Sequence, residues 1–229
     1  MSRFAVTRRG YRSIMAQTYP NQTREITRRL LDEAGTTYAE EAGIRLDDKP
    51  MPLFELLTLC MLASKPIDAT IAMRAAREIF AAKLRTPDAV LKADRKTMID
   101  AFGRAGYARY DESSATRLVD MAHTVHDDYG GDLRGLGESH DPRTAKGLLK
   151  EFKGIGDTGA DIFLREVQDV WTWVRPFFDD RATAAAGRLG LPTDPEELAE
   201  LAGGRCAALA AALVRVSLDD DLRNTIEQV

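Results

Sequence analysis

Residues 148–160 read Leu-Leu-Lys-Glu-Phe-Lys-Gly-Ile-Gly-Asp-Thr-Gly-Ala, and no other stretch limits the fold of this chain so sharply. Glycine lets the backbone turn within a few residues, and Ile155, between Gly154 and Gly156, can plug the space between the two segments joined there. The pattern predicts a helix over 144–152, a hairpin, and a second helix over 157–167. Backbone N–H groups at the start of that second helix, aided by the helix dipole, suit a DNA phosphate. Lys150 and Lys153 add positive charge nearby. The hairpin carbonyls offer a seat for a sodium or potassium ion. The same glycines serve equally as a plain turn between packed helices, so the hairpin alone leaves both readings open.

The rest of the chain reads as helix. A stripe of Ile26, Leu30 and Leu31 predicts a helix over 21–35 with Asn21 or Thr23 as N-cap. After a polar loop over 44–51, Pro52 opens a strongly apolar helix that Lys65-Pro66 stops. Helices follow over 68–84, over 86–93 with Thr86 as cap and Pro87 first in the helix, and over 94–102. A long amphipathic helix over 112–129 ends at Gly130-Gly131. Shorter ones follow over 181–189, 195–201 and 206–216. Long alternations of Val, Ile and Thr are absent, so the pattern argues for an all-α fold. The longest apolar run, 53–63, is too short to span a bilayer and contains Glu55.

A net charge of −4 is not that of a generally basic nucleic-acid binder. The charge is uneven, however. Residues 1–30 hold seven arginines against one acid, Glu25, a local +6 that leaves −10 for the remainder. A basic face can be local, and Arg3, Arg8, Arg9 and Arg12 form either a phosphate-tracking arm or a solvated one. Two cysteines, Cys60 and Cys206, fit a reducing, cytoplasmic setting better than a disulfide framework.

Beyond the hairpin comes Phe178-Asp179-Asp180-Arg181, then Ala184-Ala185-Ala186-Gly187-Arg188-Leu189-Gly190. With these pieces the chain resembles the helix-hairpin-helix DNA glycosylase superfamily, the endonuclease III and adenine-glycosylase group. There the hairpin typically reads LPGVGxxTA, followed by a catalytic aspartate and a helix ending in RLG. This chain offers FKGIGDTGA, then FDDRATAAAGRLG. PLFELLTLCMLASKPID is similar to the family's early helix, and TPDAVLKADRKTMIDAFGRAGY and YGGDL to the segments that follow. The similarity covers 52–190.

The resemblance implies a two-lobed all-α fold. Residues 1–51 form an arm and a helix joining the C-terminal lobe, 52–168 a helical domain ending in the hairpin, and 169–229 the rest of the second lobe. It implies a base-excision glycosylase that flips a damaged or mismatched base out of duplex DNA, acts as a monomer and needs no membrane. Counting back from Arg188-Leu189-Gly190 puts the family's aspartate on Asp179, where a carboxylate would stabilise the cationic sugar or orient water. An aspartate before a helix is also an ordinary N-cap, and that reading fits Asp180 best. Gly154, Ile155, Gly156 and Gly159 are the expected DNA-binding positions of the hairpin.

Four departures bear on activity. Thr158 stands where lyase-competent members carry lysine; a hydroxyl cannot form a Schiff base, which implies a monofunctional enzyme. Thr158 then either lines the base pocket or merely supports the hairpin helix. Two cysteines cannot supply the four thiolates of the family's iron–sulfur cluster. Lys65 stands at the position of the DNA-filling glutamine, as a wedge, a phosphate contact or a solvated helix end. Asp180-Arg181 replaces the usual Thr-His. A relative that binds DNA without excising a base is the principal alternative; a helical protein using its surface for protein contacts is another.

Other candidates have plainer explanations beside them. Tyr107, Tyr110, Trp171 and Trp173 can stack on a base or belong to the core. His123 and His126, with Asp127, can hold a metal or simply face solvent, so no metal site is expected. Cys60, on the apolar helix, reads as a buried thiol.

Overall fold

The computed structural model describes residues 19–228, and every regular element among them is helical. The cluster Arg3, Arg8, Arg9 and Arg12 lies outside the described residues. In chain order the helices are α1 (Asn21–Arg29), α2 (Tyr38–Glu41), α3 (Pro50–Ala63), α4 (Ala69–Ala81), α5 (Pro87–Lys92) and α6 (Arg95–Arg104). They continue with α7 (Asp111–Tyr129), α8 (Pro142–Leu149), α9 (Asp157–Val167), α10 (Asp180–Arg188), α11 (Pro195–Ala202), α12 (Cys206–Leu218) and α13 (Asp220–Glu227).

The chain divides into two compact units, Tyr38–Val174 and the pair of segments Met1–Thr37 and Arg175–Val229. The expected boundary at residue 51 falls inside the first of these. Within that unit the buried Glu166 carboxylate accepts hydrogen bonds from the backbone N–H groups of Tyr38 and Ala39 at 3.2 and 2.8 Å, tying α2 to α9.

In Tyr38–Val174 the centre is α3. Every residue from Pro52 to Leu62 is buried, so this helix has no solvent face. It starts at Pro50, two residues before the expected Pro52; both prolines lie in the first turn, where the missing N–H costs nothing. Local chemistry sets most other ends. Thr86 Oγ1 accepts from Ala89 N–H at 3.2 Å to cap α5. Asp68 and Asp141 cap α4 and α8 by accepting from Thr70 and Thr144 N–H at 2.7 and 2.9 Å. Gly130, at φ 59°, closes α7 in the left-handed conformation that glycine tolerates.

The other unit is built on small residues. Ala182, Ala185 and Ala186 of α10 are buried, as are Ala210 and Ala212 of α12, and the two helices pack together. Ile26, Leu30, Phe178, Leu198, Leu209, Leu213 and Ile226 complete the core. Neither Asn21 nor Thr23 caps α1. The helix begins after Pro20 with no side-chain cap, and the chain continues past Arg29 into a π-helical turn, Leu30–Ala34. Helix α13, absent from the sequence reading, is capped by Asp219, which accepts from Leu222 N–H at 2.9 Å.

Candidate functional site

The predicted hairpin forms between α8 and α9. Ile155 is buried, and its N–H donates to Phe152 O at 3.0 Å, closing the turn. Three glycines meet three different demands. Gly154 has φ +95°, and a Cβ there would lie 2.9 Å from Arg117 Cδ and 3.3 Å from Met61 Cγ. Gly159 faces α3: its Cβ would lie 2.5 Å from Ser64 Oγ. Gly156 needs no unusual backbone angle, and a Cβ there would meet nothing within 4 Å. What it supplies is uncovered backbone beside open space.

That space is a shallow groove lined by Ser64, Gly154, Ile155, Gly156, Asp157 and Thr158. Helix α9 starts after Gly156, which has no side chain to cap it, and among the described residues no side chain accepts from the N–H groups of its first turn. Thr158 lies exposed on the groove wall. Backbone donors at the positive end of a helix dipole, flanked by a hydroxyl, suit a phosphate oxygen.

The charges around the groove differ from the sequence expectation. Lys150 Nζ is 2.7 Å from Asp157 Oδ1, and that hydrogen bond holds the Asp157 carboxyl below the usual range. Lys153 Nζ is 3.2 Å from Asp120 Oδ2. Lys146 is similarly paired with Asp161 across α8 and α9 at 2.5 Å. Lys65, half-buried next to Ser64, has no ion pair among the described residues. Sequence reasoning missed Arg117, a half-buried cation of α7 packed on Gly154. No local signal could have found it, because α7 and the hairpin meet only in the folded chain.

Asp179 belongs to the other unit. It is the N-cap of α10, with Oδ1 accepting from Ala182 N–H at 2.9 Å, and it is partly buried. Asp180 is the first residue of the helix and is exposed. The capping role expected of Asp180 therefore falls to Asp179, because the helix starts one residue earlier than the predicted 181.

No protein-family profile and no curated protein matches the chain. A similar solved structure is a trapped endonuclease III–DNA covalent intermediate, an estranged-adenine complex; it shares 16% identity with this chain over 85% of each, with a TM-score of 0.47.

Tyr107 and Trp171 sit in the core of Tyr38–Val174. Tyr107 is fully buried and donates to Leu62 O at 3.0 Å, and burial pushes its phenol up to about 12. Trp171 is buried, stacks on Trp173 at 5.4 Å and donates its indole N–H to Asp48 at 3.0 Å. His126 pairs with Asp127 at 2.8 Å. Among the described residues no three His, Cys, Asp or Glu side chains gather as a metal site. Neither Cys60 nor Cys206 is in a disulfide among the described residues, and both are buried. Burial pushes the Cys60 thiol well above its usual range.

Proposed function

We propose that this chain binds duplex DNA at the hairpin groove and acts as a monomeric, monofunctional DNA glycosylase on a damaged or mismatched base. The observation that supports the reading best is the groove, where the uncapped first turn of α9 adjoins Gly156, a residue whose missing side chain leaves the backbone open. A phosphate oxygen can approach such donors closely and with little regard to sequence. Phe152 O and Gly156 O each accept one N–H bond and keep a second lone pair for a sodium or potassium ion.

The chemistry rests on two positions. Asp179 supplies a carboxylate to the sugar's developing cation as the bond from C1′ to the base breaks and a water oxygen attacks C1′. The base leaves with the bonding electrons and takes up a proton. Thr158 carries no amine, so no imine forms and the strand stays intact. DNA binding without excision is the second reading, favoured by the cap that Asp179 already provides to α10. The test is a panel of duplexes, each with one lesion, scored for base release after alkali and for borohydride crosslinking. Release without nicking or crosslink supports the proposal; a crosslink, or no release from any lesion, refutes it.

A further inference from the structure

Positive charge close to the N–H donors strengthens phosphate capture, and each hairpin lysine already carries an ion pair. Lys150 is paired with Asp157 and Lys153 with Asp120, so each brings an anion with its cation. Asp157 itself lines the groove. Two cations that adjoin residues of the groove carry no ion pair among the described residues. One is Lys65, which follows the groove residue Ser64. The other is Arg117. A Cβ on Gly154 would lie 2.9 Å from its Cδ and 3.6 Å from its Nε, so the side chain runs against the positive-φ glycine of the hairpin.

Packing of its stem on Gly154 limits the rotamers of Arg117, so less freedom is lost when the guanidinium meets a ligand. The planar guanidinium also matches a phosphate's two oxygens. We propose that Arg117 is the principal side-chain ligand for the DNA phosphate at the hairpin groove, with Lys65 as a second cation. Lys150 and Lys153 instead brace the hairpin against Asp157 and Asp120. The inference rests on the DNA-binding reading and assigns a side-chain charge to its site.

The experiment titrates the full chain against a labelled, undamaged duplex by fluorescence anisotropy across a salt series. Undamaged DNA keeps excision out of the measurement. Arg117→Gln is expected to weaken binding about tenfold at low salt, as for a lost charged hydrogen bond. It should also flatten the slope of log affinity against log salt by about 0.9, one phosphate contact. Arg117→Lys should recover the slope. The charge-neutral pair Lys153→Gln with Asp120→Asn should leave it unchanged. Each variant is compared with the wild type by thermal melting, and Arg117→Lys separates lost charge from lost packing. If the wild type binds and Arg117→Gln binds alike, or Arg117→Lys fails to recover the slope, the assignment of Arg117 is overturned while the DNA reading stands. The pair variant flattening the slope as much as Arg117→Gln does the same. If the wild type does not bind duplex, both fall together.

Discussion

Ser64 occupies the space that a side chain at position 159 would need: a Cβ on Gly159 would lie 2.5 Å from Ser64 Oγ. The same hydroxyl donates to Cys60 O at 2.6 Å, so its position is fixed by the end of α3. The central buried helix and the hairpin's second helix are thus held at a distance only glycine allows.

Gly159→Ala should therefore destabilise the chain. Alanine favours a helix over glycine by about 1 kcal/mol, so a net loss means the clash outweighs propensity. Overpacking of this kind costs about 1–3 kcal/mol. Urea unfolding of Gly159→Ala, and of the same variant with Ser64→Gly to relieve the clash, measures both. A Gly159→Ala protein as stable as the wild type would show that the helices separate freely.

Gly156→Arg should do the opposite, leaving stability nearly intact while abolishing most DNA affinity. A side chain at 156 meets nothing within 4 Å and needs no left-handed backbone, so the fold accommodates it. The arginine adds charge but covers the donors at the start of α9. Anisotropy against duplex DNA, paired with a melting curve, checks both halves; undiminished affinity would move the DNA site away from the hairpin.

Asp179→Asn keeps a good capping residue on α10 and removes the charge. DNA affinity and melting should stay near wild type, while base release falls by roughly two powers of ten or more, the scale of one preorganised electrostatic contact. Asp179→Ala should lose about 1 kcal/mol of stability as well. Asp180→Asn, at an exposed position past the cap, should alter release little. Single-turnover excision with all three variants decides whether Asp179 is more than a cap.

Glu55 gives a pH dependence. Burial on α3 raises its carboxyl from 4.5, against the opposing pull of Arg85. In the window above 4.5 the folded chain holds more protons at this site than the unfolded chain, so its contribution to stability falls as pH rises. Below that window the contribution is fully present. Glu55→Gln should thus gain on the wild type between about pH 4 and about pH 7 in urea unfolding. A difference that shrinks over that interval would contradict the raised carboxyl.

The purified chain should be colourless and free of stoichiometric iron. Cys60 lies in the core of Tyr38–Val174 and Cys206 in that of the other unit, and the sequence has no third thiol. A visible iron–sulfur band with matching iron on elemental analysis would overturn this.

What the sequence determined is what depends on neighbours along the chain. The Thr86 cap, the Pro87 helix start, the Gly130 stop and the turn at Gly154-Ile155-Gly156 are each set by residues within a few positions, so their geometry is written locally. The all-helical class followed from the same periodicity, whereas α13 buries only Ile226 and so leaves little apolar pattern to mark it. The tertiary structure alone decided where charge and packing fall. Lys150 and Lys153 look like free cations in the sequence; folding places Asp157 and Asp120 beside them. Arg117 looks like one more charge on a helix; folding lays it on Gly154. Ion pairing and steric exclusion depend on distance in space, and for groups on separate helices that distance is fixed only when the apolar faces between them have packed.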